Sequence, residues 1–361
     1  MATKRKDGRL QSSVTITNPI TGEKEKKYIY GYTDEELEAE RQHFQNSVLN
    51  VVKISFKAWA TDVLSYKLSE NKISLGTYES YDSVLENHIY PTLGSAYVDQ
   101  ITPFMLRKLF KEIKAQRMKQ YVYTIVKSIF RQAFKDRMIP FNPCDSIDKP
   151  QVETRETKVI DVVEFKDIIA HVPSVQFKYV TKTAWECGTR RGELAALRWA
   201  DIEFNNNVIA ITKSRKKTKK STVEGSTKTS AGKRRLPVTE EYMHEMKVWK
   251  MILRGMLAER NIPWDINGYV FRSSDDMSQP IPLATITNTF AKIVKKMGLP
   301  KGTTFHSLRH SHATMLVEND VQTKKIQIRL GHSSAAFTLD RYTHSTEKMQ
   351  NGIAEIMQKN R

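Results

Sequence analysis

Hydrophobic residues recur at helical spacing along much of this chain. Residues three or four positions apart lie on one face of a helix, so each stripe predicts an amphipathic helix with one buried face. The clearest stripe runs from residue 122 to residue 133, and others begin at residues 56, 78 and 106. The apolar positions of these stripes are Phe56, Trp59, Ala60, Val63, Leu64, Tyr78, Tyr81, Leu85, Leu106, Leu109, Phe110, Ile113, Val122, Ile125, Val126, Ile129, Phe130 and Ala133.

Two shorter segments alternate apolar and polar residues at strand period. The first covers residues 10–16, passes a turn at residues 18–22, and resumes at Tyr28 and Tyr30. The second covers residues 208–212 and follows three consecutive asparagines. The pattern therefore predicts a mainly α, multi-domain protein with small β parts.

Helix-start signals and one polar stretch divide the chain. Thr33 with Glu36, and Asp161 with Glu164, have the spacing of a capping box. Residues 149–158, KPQVETRETK, are polar and lack periodicity, which predicts a linker. We predict domains at residues 1–50, 52–148 and 155–361.

Net charge narrows the class of partner. The 361 residues include 58 Lys and Arg against 40 Asp and Glu, giving a formal charge of +18. Such an excess favours a polyanion, either nucleic acid or an anionic membrane surface. There is no apolar run long enough to span a bilayer and no secretory signal at the N-terminus. We therefore expect nucleic acid as the partner, no membrane, and a cytoplasmic location.

The two cysteines, Cys144 and Cys187, are too few for a disulfide framework or a thiolate zinc site.

The densest positive charge lies between residues 213 and 235, where Glu224 is the only acid. Two interpretations stay open for that stretch: a solvated, disordered hairpin tip, or a surface that contacts phosphates. Its basic residues are Lys213, Arg215, Lys216, Lys217, Lys219, Lys220, Lys228, Lys233, Arg234 and Arg235.

Four short segments carry residues suited to phosphate chemistry. They are CGTRRGEL at 187–194, Lys228 with Thr229, HSLRH at 306–310, and LGHS at 330–333 followed by Arg341 and Tyr342. Each segment is a weak signal by itself. In this order and spacing they resemble the tyrosine site-specific recombinases, especially the integrases of temperate phages and conjugative transposons. The resemblance extends over nearly the whole chain.

The family pattern consists of Gly-x-Arg-x-x-Glu-Leu, a hairpin Lys, His-x-x-Arg, Leu-Gly-His and a Tyr about ten residues later. The residues at those positions here are Arg190, Lys228, His306, Arg309, His332 and Tyr342. The resemblance implies an integrase that cleaves and rejoins DNA through a 3′-phosphotyrosine, to integrate or excise a mobile element. It implies no metal, no ATP and no other cofactor.

The residue types suit such a reaction. Cleaving a phosphodiester without a metal requires cations at the phosphate oxygens, and a guanidinium can bind two oxygens at once. Arg190 and Arg309 would supply that clamp, and His332 would donate a hydrogen bond to the phosphate.

Three other residues would carry out the nucleophilic attack and the proton transfers. A phenol, with a pKa near 10, is a poor nucleophile until it loses its proton. Tyr342 would be the nucleophile and His306 its base or proton relay. Lys228 would protonate the leaving 5′-oxygen.

Several alternatives stay open. Arg190 could pair only with Glu193, three residues further on, and Tyr342 could be an ordinary surface aromatic. Lys233 is the rival to Lys228, because the segment before Lys228 is long for a hairpin.

A metal site is a further alternative for His306, His310 and His312, which lie close together in the sequence. Arg309 between them, and the lack of a nearby carboxylate or thiolate, favour an anion site instead.

The resemblance also implies the architecture and the partners. Residues 1–50 would form a three-stranded β module that binds arm-type sites, and residues 52–148 a helical domain that binds core-type sites. Residues 155–361 would form the α+β catalytic domain and a C-terminal tail. A homotetramer on double-stranded DNA, an excisionase, a host DNA-bending protein and a bacterial, nucleoid-associated location follow from the same family.

Two other functions stay as alternatives: a DNA-binding regulator that does not react, and a relaxase of the type IB topoisomerase kind. Neither needs a second DNA-binding site, so the N-terminal β module argues against both.

The C-terminal tail carries an apolar stripe at Met349, Ile353, Ile356 and Met357. It would dock on a neighbouring protomer or pack on its own domain.

Overall fold

The computed structural model describes residues 3–17, 24–49, 53–152, 158–218, 222–226 and 232–332. The predicted turn at residues 18–22, Lys228, Tyr342 and the C-terminal tail lie outside these ranges. The chain divides into two units, residues 1–154 and 155–361.

The first unit begins with a small antiparallel sheet and one helix. These elements are β1 (Thr3–Lys4), β2 (Leu10–Thr17), β3 (Lys24–Gly31) and α1 (Asp34–Leu49). The Thr33 hydroxyl accepts a hydrogen bond from the backbone N–H of Glu36, so the predicted start of α1 is confirmed. Val14 and Ile29 pack against Leu37 and Phe44 of α1. The residues that alternate with Ile29 in β3, including Tyr28 and Tyr30, are exposed.

Helices form the rest of the first unit. They are α2 (Phe56–Ser69), α3 (Leu75–His88), α4 (Tyr90–Leu93), α5 (Pro103–Glu112) and α6 (Gln116–Lys135), with 3-10 turns at Val98–Gln100 and Pro143–Ser146. The predicted stripes of α2, α5 and α6 are buried in one core, which confirms their helical period. Tyr78 and Tyr81 of α3 are only partly buried at its edge.

The second unit is also mainly helical. Its elements are α7 (Val162–Ala170), α8 (Val175–Cys187), α9 (Arg191–Ala196), a 3-10 turn (Trp199–Asp201), β4 (Ile202–Glu203), β5 (Val208–Ile211), β6 (Lys213–Lys217), β7 (Thr222–Ser226), β8 (Arg234–Pro237), α10 (Glu240–Ala258), α11 (Leu283–Lys296), α12 (Phe305–Glu318) and α13 (Thr323–Leu330). The predicted capping box of Asp161 and Glu164 opens α7. Trp199, Trp249 and Phe290 are fully buried in the main core.

Among the described residues, two small sheets interrupt these helices, and the strand predicted at residues 208–212 is β5 of the first. One has the strand order β4-β5-β8, and the other is the antiparallel pair β6-β7. The alternative of a disordered basic tip is wrong for residues 213–217 and 222–226, which pair as strands. None of the described helices is long and apolar enough to cross a membrane. The expected mainly helical class with small sheets is confirmed.

Candidate active site

The loop between α8 and α9 positions Arg190. Gly188 ends α8 with a φ of +57°, a left-handed conformation that favours glycine. A Cβ on Gly188 would lie 2.7 Å from Cδ2 of His312, so close packing also requires glycine here. The chain then turns so that Arg190 is the residue before the first turn of α9.

Arg309, on α12, is almost completely buried, with 1% of its surface exposed. Its Nη1 donates to the carbonyl of Gly188 at 2.6 Å, and its Nη2 donates to the carbonyl of Leu330 at 2.6 Å. These bonds join the C-terminal ends of α8 and α13 at one guanidinium. Arg309 therefore holds together the segments that carry Arg190 and His332.

Arg190 bonds to the next carbonyl along the chain, that of Gly331, and is more exposed than Arg309. Its Nη1 donates to Oε1 of Glu193 at 2.8 Å, and its Nη2 donates to the carbonyl of Gly331 at 3.3 Å. The backbone N–H of Arg190 donates to Oε2 of Glu193 at 2.9 Å. The pairing with Glu193 that the sequence left open is present. The Arg190 side chain is nevertheless 41% exposed, so the pair orients this guanidinium without covering it.

Arg234, at the start of β8, is a site residue that the sequence analysis counted only among surface cations. Its Nη2 lies 2.8 Å from Oε2 of Glu193, and both side chains are 2% exposed. Burial raises the pKa of the Glu193 carboxyl, but the hydrogen bond and charge of Arg234, with the charges of Arg309 and Arg190, outweigh burial and hold it at about 2. The strand period does indicate that Arg234 is buried, because Arg234 shares the inward face of β8 with Leu236.

His332 follows α13 and is 5% exposed. Burial lowers the pKa of its imidazole to about 4, helped by the positive charges of Arg309, Arg190 and Arg234 and by His306. A neutral ring carries one N–H donor and can give a hydrogen bond to an anion. His306 lies in the first turn of α12 with an exposed side chain, one turn before Arg309.

The other two histidines of the possible metal cluster lie inside the domain. Nε2 of His312 accepts a hydrogen bond from Nε of Arg329 at 3.0 Å. Burial, followed by the charge of Arg329, lowers the pKa of His312 to about 3. His310 is also buried, whereas His306 is exposed. Within the described ranges, all three histidines included, no group of three or more His, Cys, Asp or Glu side chains could hold a metal ion.

The structure thus brings Arg190, Arg309, His332 and His306 into one region. Lys233, the rival for the role of Lys228, is exposed directly before β8. Tyr342 and Lys228 lie outside the described residues.

The basic hairpin β6-β7 packs against the start of α9. A Cβ on Gly192 would lie 2.3 Å from the carbonyl oxygen of Arg215, so no larger residue fits there. Glu224 of β7 accepts hydrogen bonds from Nη2 of Arg198 and from the hydroxyl of Tyr269, each at 2.9 Å. The only acid of the basic stretch therefore fastens the hairpin to the domain that carries Arg190.

Residues 158–349 match the phage integrase family, and residues 66–114 match the N-terminal SAM-like domain of phage integrases. The ICEBs1 integrase of Bacillus subtilis is 25% identical over 367 residues, covering 98% of this chain and 97% of that protein.

The fold is shared with solved structures of integrases, among them those of a transposon integrase and of lambda integrase. The Tn1549 transposon integrase in complex with a circular intermediate DNA superposes with a TM-score of 0.66 at 21% identity, over 82% of this chain and 99% of that one. A lambda integrase tetramer bound to a Holliday junction gives a TM-score of 0.60 at 19% identity, over 96% of each chain. The first family match alone covers more than half of the sequence, in the unit where the arginines and His332 converge. This chain belongs to the phage integrase family of tyrosine recombinases.

Proposed function

We propose that this chain integrates and excises a mobile DNA element, with Tyr342 as the nucleophile that cleaves each strand. The observation that carries the proposal is the meeting of Arg190, Arg309 and His332 at the ends of α8 and α13. Three side chains suited to binding a phosphate lie there, on three different segments of a chain whose family cleaves and rejoins DNA.

The scissile phosphate binds at Arg190, whose partly exposed guanidinium can reach a ligand. Arg309, which is buried, contributes its positive charge to the site. His332 is neutral near pH 7 and donates a hydrogen bond to a phosphate oxygen. Fixed cations and donors of this kind stabilise the negative charge that develops on the oxygens in the transition state.

The covalent step breaks one P–O bond and forms another. The phenolic oxygen of Tyr342 attacks phosphorus, and its proton passes to His306. The 5′-oxygen leaves with a proton from Lys228, or from Lys233 if that residue holds the role. The 3′-phosphotyrosine conserves the bond energy, so rejoining needs neither ATP nor a metal ion.

Two further modules bind the DNA at separate sites. We assign arm-type sites to residues 1–50, core-type sites to residues 52–148, and catalysis to residues 155–361. Exposed Tyr28 and Tyr30 on the sheet support the first assignment. The guanidinium carbon atoms of Arg5 and Arg9 lie 5.2 and 5.5 Å from the centre of the Tyr30 ring, so cations and aromatic rings share one surface.

Four protomers act together on two DNA sites in this proposal. The lambda integrase tetramer on a Holliday junction supports that assembly. The tail from residue 346 to 358 would dock on a neighbouring protomer. An excisionase and a host DNA-bending protein would set the direction of the reaction, in the bacterial cytoplasm at the nucleoid.

The proposal is tested by trapping a covalent protein–DNA adduct on a nicked suicide substrate made from the repeats that flank the element. We expect the adduct in excess EDTA and without ATP, and none on a scrambled duplex. Specific binding without an adduct would favour the DNA-binding regulator. Relaxation of plasmids that lack these sites would favour a type IB-like relaxase.

A further inference from the structure

Arg234 is a buried cation that donates four hydrogen bonds to protein groups. Its Nη2 and Nη1 donate to the two oxygens of Glu193, at 2.8 and 3.2 Å. Its Nε donates to the carbonyl of Arg329 at 2.7 Å, and its Nη1 also donates to the carbonyl of Gly232 at 3.2 Å. One guanidinium therefore connects β8, the start of α9 and the last turn of α13.

The carboxylate at the centre of this network serves two arginines. Oε1 of Glu193 accepts from Nη1 of Arg190 and from Nη1 of Arg234. Oε2 accepts from the backbone N–H of Arg190 and from Nη2 of Arg234. Only an ionised carboxylate can accept all four bonds, because a protonated oxygen becomes a donor.

We propose that Arg234 is a positioning residue for strand cleavage: it clamps the Glu193 carboxylate that orients Arg190, and it ties the end of α13 to the same clamp. Arg234 does not touch DNA in this account, since its side chain is 2% exposed. The inference rests on the proposed function, because Arg190 must bind the scissile phosphate for its orientation to matter.

The role predicts a pH dependence with a definite sign. Burial raises the pKa of Glu193, and the groups that oppose burial are Arg234 from β8, Arg309 from α12 and Arg190 beside it. The pKa of Glu193 is held at about 2 in the wild-type protein, so this carboxyl is ionised near neutral pH. Without Arg234 the effect of burial is opposed only by the other two arginines, so protonation moves toward neutral pH. Buried carboxyls can titrate as high as about pH 8.

The experiment measures the rate of covalent adduct formation against pH on the suicide substrate, with protein saturating the DNA. We expect Arg234→Gln to slow cleavage roughly 10- to 100-fold, as a displaced binding group would. We also expect a new acid limb, in which the remaining rate falls as the pH is lowered. The double variant Arg234→Gln with Glu193→Gln should stay slow but lose that limb, since its titrating group is gone.

The matched control is Arg272→Gln. Arg272 is a buried arginine of the same unit whose side chain donates to the carbonyls of Tyr269 and Met277. Its loss should lower the melting temperature without adding an acid limb. Arg234→Lys keeps a cation at the site and serves if Arg234→Gln does not fold; it should show a weaker acid limb.

The outcomes separate the two proposals. Failure of the wild-type protein to form an adduct would overturn the proposed function. A wild-type adduct together with unchanged pH profiles in both Arg234 variants would overturn only the positioning role and leave Arg234 as a packing residue.

Discussion

Arg190 and Arg309 carry the same charge but are held differently. Arg309 is buried and donates to two backbone carbonyls, which makes it a structural support as well as a source of positive charge. Arg190 is partly exposed and is oriented by a carboxylate that is itself clamped. Because Arg309 supports the backbone and Glu193 orients Arg190, the site can present one guanidinium at the surface in a fixed orientation. The proposed mechanism uses this guanidinium, and not a metal ion, to bind the phosphate.

Substitution of each lysine can show whether Lys228 or Lys233 is the general acid. Lys228→Ala should cleave ordinary DNA at least about 100-fold more slowly, the usual scale of a lost general acid. It should recover on a substrate with sulfur at the 5′ leaving position, because a thiolate leaves without a proton. Single-turnover cleavage rates on both substrates measure this effect. Recovery by Lys233→Ala instead would assign the acid to Lys233.

Among the elements, the hairpin β6-β7 packs against the start of α9 and is also fastened by one acidic residue, Glu224. Glu224 accepts hydrogen bonds from Arg198 and Tyr269. Burial raises the pKa of its carboxyl, but these hydrogen bonds lower it by more, so the pKa lies below its usual value. The Glu224 carboxylate is therefore ionised when it fastens the strand. Lys228 follows the last residue of β7, Ser226, by two positions in the sequence.

Glu224→Gln should loosen this attachment and cost about 1–2 kcal/mol, the usual effect of losing a charged hydrogen bond. We expect faster tryptic cleavage at the lysines of residues 213–217 and slower adduct formation. Glu203→Gln is the control, since Glu203 pairs with Arg235, an exposed partner. Equal proteolysis rates in the two variants would contradict the role given to Glu224.

The sequence predicted α2, α5 and α6 well because the burial of these helices follows a local period. Phe56, Trp59 and Val63 share a face whatever the rest of the fold does. Arg234 and Glu224 were missed because their partners are distant along the chain, at Glu193 and at Arg198 with Tyr269. Charge and local pattern say that a residue is basic or acidic, but only tertiary packing decides whether it is buried against an opposite charge.

For the whole molecule, the excess of 18 positive charges suits a protein that binds DNA through several modules. The N-terminal sheet and the helices of the first unit have separate hydrophobic cores. The helical core shares none of its buried residues with the small N-terminal core, which makes the modular account testable by deletion of residues 1–50.

Removing residues 1–50 should weaken binding to arm-type sites about 100-fold or more and leave core-site binding within a few-fold, because the contacts of one module are lost together. Footprints at one fixed salt concentration measure both affinities. An equal loss at the two kinds of site would contradict separate addresses.

The proposed function requires that Tyr342 becomes joined to DNA. The direct measurement is mass spectrometry of the adduct trapped on a suicide substrate, from the wild-type protein and from Tyr342→Phe. We predict a 3′-phosphate linked to the phenolic oxygen of Tyr342, and no adduct from Tyr342→Phe although it binds the DNA as tightly as the wild type. An adduct at any other residue, or one through a 5′-phosphate, would contradict the account.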